Sequence, residues 1–484
     1  MNIVPVDPFP PFDPQAATIY RYRQQYGVNC GSWFVLEKWM TPSMFQNASG
    51  HKLSEIDIAS GSNSTNCARK GLEEHWSTFI SESDFDYLSG IGINTVRLPI
   101  GYWSLGPEYC EGTPFSPYAD VYSNSWAYVV RAINLAAKYG IGVIVDLHGA
   151  VGSQNGQPHS GISDRHVGLF DSPANVKKTL AVLVSLVQKL CLVTNIVGIQ
   201  ILNEPVNVPG LSDFYTRAIS TMRQVSDCAK GFPLYIHDGF DLERFSDYVS
   251  ARSDFVVQDH HSYFVFTTQD DSESASNHTN DIETSIAQSL AIASARGNLI
   301  VGEWSGALTP QSLSNEPDQD AARRNFSTAQ MDVYSTTTAG WIFWAYKTED
   351  CGNDPDWCFT VAVGHTLPPT FFRYMNGCQS SRSVESRDLN PSMPSFRHRL
   401  AAIHHRRSGD NVTAEEQSSH KGYSDGVFAA QLFCKYGGSM LGLDGQYISD
   451  RIVALGPTVI QTGTEPSYSA AFYRGLSDGE ESMS

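Results

Sequence analysis

The chain has 484 residues, 41% hydrophobic and 17% charged, a globular composition too long for one ordinary domain and suited to a large barrel with an added piece. Its 33 basic and 51 acidic side chains give a formal net charge of -18, which argues against a nucleic-acid or anionic-membrane partner, since both need a basic surface. No stretch of 18 continuous apolar residues is present, so no membrane-spanning helix is expected.

Residues 1–18 are Pro-rich and predict an extended segment. The opening MNIVPVDPFPPFDPQ has neither a basic start nor a long apolar run, so a cytoplasmic protein is expected, or an extracellular or cell-wall one if the true N-terminus lies upstream. The nine cysteines are scattered, and only Cys351 and Cys358 lie close; a local disulfide there is conceivable, but reduced cysteines are the expectation. Five N-x-S/T sequons (Asn47, Asn63, Asn277, Asn325, Asn411) point toward secretion, yet such triplets also arise by chance.

From residue 19 to 377, short apolar runs alternate with longer amphipathic stretches. Strands are predicted at 27–30, 95–99, 142–147, 197–202, 234–237, 255–258, 299–301 and 341–344. Helices are clearest at 125–139, 176–192, 213–228, 281–295 and 319–337, where apolar residues recur at three- and four-residue spacing. Eight buried-looking strands alternating with helices predict a (β/α)8 TIM barrel, whose chemistry sits where strands end. Residues 378–418 are polar and rich in Ser and Arg, the composition of a linker. Within them His404, His405, Arg406 and Arg407 read as a solvated basic patch, without metal-ligand spacing. A small C-terminal helical extension is expected over 419–484, with Gly438, Gly442 and Gly445 breaking its helical runs.

Two carboxylates stand at predicted strand ends. IVGIQILNEP places Asn203 and Glu204 after the fourth strand, and LIVGEWSGAL places Glu303 after the seventh. One such Glu is most simply an ion-pair partner at the barrel mouth. Two of them fit glycoside cleavage, which needs one group to protonate the leaving oxygen and one to attack the anomeric carbon or activate water. Other strand ends add Arg97, Asp146, His148, His260, His261, Tyr263 and Trp344. Each alone has a plain structural use. Together they suit an uncharged sugar: Arg and Tyr can hold a carboxylate ionised, and Trp can floor a sugar ring.

The ordered blocks GVNCGSWFVLEKWMTPSMF, NTVRLPIGYW, DLHGAVGSQNG, LNEP, HSYFVF, VGEWSGA and GWIFWAYKTE, between about Tyr20 and Phe359, resemble glycoside hydrolase family 5, and within it the fungal exo-β-1,3-glucanases. The resemblance implies Glu204 as acid/base and Glu303 as nucleophile. It implies Asn203 on the sugar 2-hydroxyl, Arg97 and Tyr263 supporting the nucleophile, and His148 and His261 lining the reacting subsite. Glu37 would hold distal hydroxyls, and Trp344 would lie beneath the sugar. It further implies double displacement with retention, a carboxyl separation of about 5 to 5.5 Å and a raised pKa on Glu204. No metal or cofactor is implied, and the expected enzyme is a monomer acting on a β-glucan or β-glucoside.

The sequence departs from that pattern at GQPHSG. Gln157 stands where a Phe would clamp the next glucose, and His159 where an Asn would contact sugar; Phe266, the other half of the clamp, is kept. Tyr346 replaces a common Trp. A glucosidase for steryl or sphingolipid glucosides is the alternative expectation.

Overall fold

The computed structural model describes residues 3–61, 64–353, 355–375 and 412–483, which fall into two compact units, 1–374 and 375–484. In the first, eight parallel strands close into a barrel in sequence order: β1 (Gln25–Asn29), β2 (Thr95–Gly101), β3 (Gly142–Gly149), β4 (Ile196–Gln200), β5 (Leu234–His237), β6 (Val256–Ser262), β7 (Leu299–Trp304) and β8 (Gly340–Phe343). The ring is completed by β1 against β8, with Tyr26 opposite Trp341. Helices lie between the strands, as expected of a (β/α)8 TIM barrel. Helix Ser125–Lys138 buries Val129, Val130, Ala132, Ile133 and Ala136 on one stripe, the three- and four-residue spacing read from the sequence. Helix Gln319–Thr337 matches its predicted span and starts where the Asp318 carboxylate accepts the Ala321 N–H.

Two strands run further than their apolar runs. β6 continues through His261 and β7 through Glu303, because the ladder persists after hydrophobicity ends. His261 and Glu303 are register partners, and the register slips between His260 and His261. That irregularity separates two neighbouring histidines: His260 bonds Asp238, whereas His261 turns to the catalytic-end carboxylates.

The extended N-terminal segment stops at residue 13 rather than 18. Asp13 caps a helix, Pro14–Tyr22, by accepting the Gln15 and Ala16 N–H groups, with Pro14 at its favoured first position. Arg21 from this helix donates to the Cys191 carbonyl at 2.8 Å, and Arg23 bonds the carbonyls of Asn94 and Gly140, so the helix is tied to the segments that lead into β2, β3 and β4. Among the described residues no helix is long and apolar enough to cross a membrane.

The expectation of reduced cysteines is corrected. Cys191–Cys228 and Cys351–Cys358 form disulfides, with Cα separations of 5.8 and 5.4 Å inside the range such bonds need, and Cys434 is disulfide-bonded as well. The first pair lies 37 residues apart and meets only because helix Pro173–Leu190 ends beside helix Asp227–Lys230. Cys30, Cys67 and Cys110 are free.

The second unit contains helices Ala414–Lys435, Asp444–Leu455 and Glu465–Glu481. The first begins inside the stretch expected as linker, at a capping box between Thr413 and Glu416. The rest of that stretch to residue 411, including His404 to Arg407, lies outside the described residues. The outer two helices touch backbone to backbone: a side-chain carbon on Gly422 would stand 2.2 Å from the Tyr468 carbonyl oxygen, and one on Gly426 2.1 Å from that of Phe472.

Candidate active site

Arg97, fully buried on β2, organises the C-terminal end of the barrel. Its Nε donates to Gln200 at 2.7 Å. One terminal nitrogen donates to Asn29 at 2.9 Å and Glu303 at 2.8 Å, and the other to Asn203 at 2.7 Å and pairs with Asp146 at 3.0 Å. Burial works against its charge, but Asp146 and Glu303 outweigh that and keep the guanidinium protonated. A buried cation of this kind is tolerable only because every donor is used.

Glu303 receives Arg97 on Oε1 and the Tyr263 hydroxyl on Oε2, both at 2.8 Å. Gly302 before it has no alternative, since a side-chain carbon there would fall 2.0 Å from Asp259 Oδ1. Glu204 follows β4 with φ +41, a left-handed conformation uncommon for a residue other than glycine. His261 links the two. Its Nδ1 lies 2.8 Å from Glu204 Oε1 and 3.2 Å from Glu303 Oε2, while Nε2 lies 3.3 Å from Asp259.

This arrangement settles the protons differently from the sequence expectation of a raised Glu204. Burial disfavours a charged His261, but Glu303, Asp259 and Glu204 overcome it and push the imidazole up to about 10. Burial would likewise raise Glu204, but the hydrogen bond and charge of His261, helped by His159 and His237, hold it below the ordinary carboxylate range. Burial is the largest influence on Glu303 and pushes it up to about 7, against the pull of His261 and Arg97. In the free site the mobile proton therefore rests on His261.

A second group faces the same opening. His148 on β3 is bonded through Nδ1 to Asp146 at 2.8 Å and turns Nε2 to His159 Nδ1 at 3.2 Å; its ring stacks with Trp344 at 5.8 Å. His159 Nε2 lies 3.9 Å from Glu204 Oε2. Glu37 accepts the Trp39 indole N–H on Oε2 at 2.8 Å, while its Oε1 is buried with no partner. Further out, Phe266 is 73% exposed and packs edge-on against Tyr263, and Gln157 is exposed. Glu204, Glu303, Arg97, Asn203, His148, His159, His261 and Tyr263 thus join one polar network, Trp344 packs against it, Glu37 faces it, and Phe266 stands at its rim.

Sequence reasoning missed Asn29, Gln200, Asp259 and His237. The signal was a single polar residue within a buried run, Gln200 in IVGIQIL being the clearest. His237 accepts the Gly239 N–H on Nδ1 and so carries its proton on a buried, unpartnered Nε2.

Two glutamates at the ends of β4 and β7 of a closed barrel, Glu204 partly exposed and Glu303 buried, joined through one histidine and backed by an arginine, define a barrel glycoside hydrolase. The family model for cellulase (glycosyl hydrolase family 5) matches residues 59–350, and the chain belongs to that family. It is similar to glucan 1,3-beta-glucosidase 3 of Schizosaccharomyces pombe, 34% identical over 386 residues that cover 77% of this chain and 80% of the relative. It is also similar to glucan 1,3-beta-glucosidase of Kluyveromyces lactis, 31% identical over 73% of this chain and 91% of the relative. Among solved structures, rutinosidase from Aspergillus niger matches with a TM-score of 0.56 at 18% identity, over 68% of this chain and 91% of that one, a likeness of fold.

Proposed function

We propose that this protein is a retaining β-glycosidase that hydrolyses β-1,3-glucan or β-glucosides by double displacement, acting from the chain end and releasing glucose. The observation that carries the mechanism is that Glu204 and Glu303 both reach Nδ1 of His261. Those contacts keep the two carboxylate oxygens within about 6 Å of each other, nearer the roughly 5 to 5.5 Å of direct attack than the roughly 6.5 to 9.5 Å of enzymes that place a water between. The named specificity of the Schizosaccharomyces pombe and Kluyveromyces lactis relatives supports β-1,3-glucan.

In this mechanism Glu303, held in line by Arg97 and Tyr263, attacks the anomeric carbon. The proton that the leaving oxygen takes starts on His261 and reaches it through Glu204, along the 2.8 Å bond between the two. That leaves His261 neutral and Glu204 ionised, so Glu204 takes a proton from the attacking water as the bond between the sugar and Glu303 breaks, and the proton returns to His261 as Glu303 regains its charge. Asn203 holds the 2-hydroxyl, Glu37, His148 and His159 hold outer hydroxyls, and Trp344 floors the ring. The reaction needs no metal or cofactor.

The test is proton NMR of a laminari-oligosaccharide digest from the first minutes. Early β-glucose is expected; early α-glucose refutes double displacement, and longer fragments first refute action from the chain end. A lipid-glucoside reading has its own support: Phe266 and Phe240, 73% and 60% exposed, offer apolar surface at the rim. Turnover of glucosylceramide or steryl glucoside without turnover of the oligosaccharide would select it.

The disulfides support an oxidising compartment or the cell exterior over the cytoplasm as the working location. Thiol counting on unreduced protein isolated from its natural source checks this, and full alkylation without reductant would refute it.

A further inference from the structure

We propose that Glu37, His148 and His159 form a binding site for one zinc-like divalent transition-metal ion, and that an ion there closes the sugar pocket. Their ligand atoms lie within 4.8 Å of one another. The 3.2 Å between His148 Nε2 and His159 Nδ1 is close to the roughly 3.3 Å that separates two nitrogens on a tetrahedral zinc ion. His148 is already oriented as a ligand: Asp146 accepts its Nδ1–H at 2.8 Å, the carboxylate–histidine pairing that fixes metal-binding imidazoles. Glu37 Oε1 is buried and has no hydrogen-bond partner, so an acceptor waits beside the pair. In the metal-free state one proton bridges the two histidines. The ion takes its place, and the His159 proton moves from Nδ1 to Nε2, where the Asn155 amide, now 3.3 Å away through its nitrogen, must turn its oxygen toward it and Glu204 Oε2 lies 3.9 Å away.

A second cluster of similar span, Glu204, His237 and His261, is less suited. Both nitrogens of His261 are engaged by carboxylates, and His237 has only its protonated Nε2 free. Closure of the pocket rests on the proposed sugar contacts of Glu37 and His148, whereas binding of the ion does not.

The experiment treats the full chain with a chelator, removes it, and titrates zinc chloride by calorimetry without substrate, with cobalt(II) absorption reporting the ligand set. One ion per chain is expected. H159N and E37Q should each weaken binding at least about tenfold, with near-UV circular dichroism confirming the fold, and H365A, at an exposed histidine, should leave it unchanged. Glucose should compete with zinc. No saturable binding below millimolar zinc, or equal affinity in H159N and E37Q, overturns the site; loss in E204Q with retention in H159N assigns the ion to the other cluster and also overturns it. Tight binding that glucose fails to displace keeps the site and refutes the closure.

Discussion

The protonation of His261 makes a prediction about stability. The imidazole has an ordinary value of 6.5 and is pushed up to about 10 in the fold. A folded-state value above the unfolded one contributes stability that is fully present below about 6.5 and is lost as pH rises through about 10. Taken at face value the gap is worth about 5 kcal/mol. The depression of Glu204 is the same interaction seen from its partner and adds nothing further. For a chain of this size each kcal/mol moves the melting temperature by about 2 °C. His261→Asn should therefore melt up to roughly 10 °C below the parent at pH 6.5, and the two should converge as pH approaches 10. Differential scanning calorimetry of both proteins between pH 6 and 10 reads this directly. Comparing the pair cancels the tyrosines and lysines that also titrate in that window. A melting gap that stays constant with pH would mean that His261 is neutral in the fold and contributes only packing, and the proton placement derived above would be wrong.

Arg97→Lys cannot reproduce the contacts to Gln200, Asn29, Asn203, Asp146 and Glu303, so kcat should fall at least about a hundredfold and urea stability by about 3 kcal/mol; kcat within a few-fold of the parent would refute the hub role. Azide should give an α-glycosyl azide with Glu303→Gly and a β-glycosyl azide with Glu204→Ala on an activated aryl β-glucoside; NMR of the product that reversed this pattern would exchange the two roles. The acidic limb of kcat/KM reports ionisation of Glu303 and should lie between its ordinary 4.5 and about 7, moving upward in Tyr263→Phe, because the lost hydrogen bond favours the charged form; an unmoved limb would separate Tyr263 from the nucleophile. Gln157→Phe restores the missing half of the clamp beside Phe266 and should lower KM for a laminari-oligosaccharide about three- to tenfold with little effect on an aryl glucoside, in initial-rate assays.

The barrel was readable because its eight apolar runs are bounded by polar residues, and because the residues just past those runs are the ones a barrel gathers at one end. Glu204, Glu303, Arg97 and His148 stand at those run ends, and the family motifs mark the same residues. What escaped it depended on register. The run at 255–258 stops before His261, yet the ladder continues and slips by one residue, so the apolar pattern did not distinguish His260 from His261, and only the family resemblance pointed to His261. The proton followed the same slip: Glu204 is held low because His261 faces it, and a reading that counted only burial and the charge of Glu303 pointed the other way. Cys191 and Cys228 were missed for a related reason, since a 37-residue separation carries no local signal until two helix ends are placed side by side.

The charges at the site explain why two cations suffice. Glu37, Glu204, Glu303, Asp146 and Asp259 surround two cations, Arg97 and His261. Both cations are committed to carboxylates and neither is free to meet a substrate anion, so the surface left to the sugar is negative. A glucoside in its ground state is neutral and gains little from that field. The oxocarbenium-like transition state carries positive charge on the ring, and the fixed carboxylates stabilise it without having to reorganise. Burial of Asp146 pushes its carboxyl up to about 7, which limits how negative the pocket becomes before sugar arrives. Arg97 and His261 thus hold the carboxylates in place and keep their mutual repulsion tolerable, while the excess of negative charge is left to act on the reacting carbon.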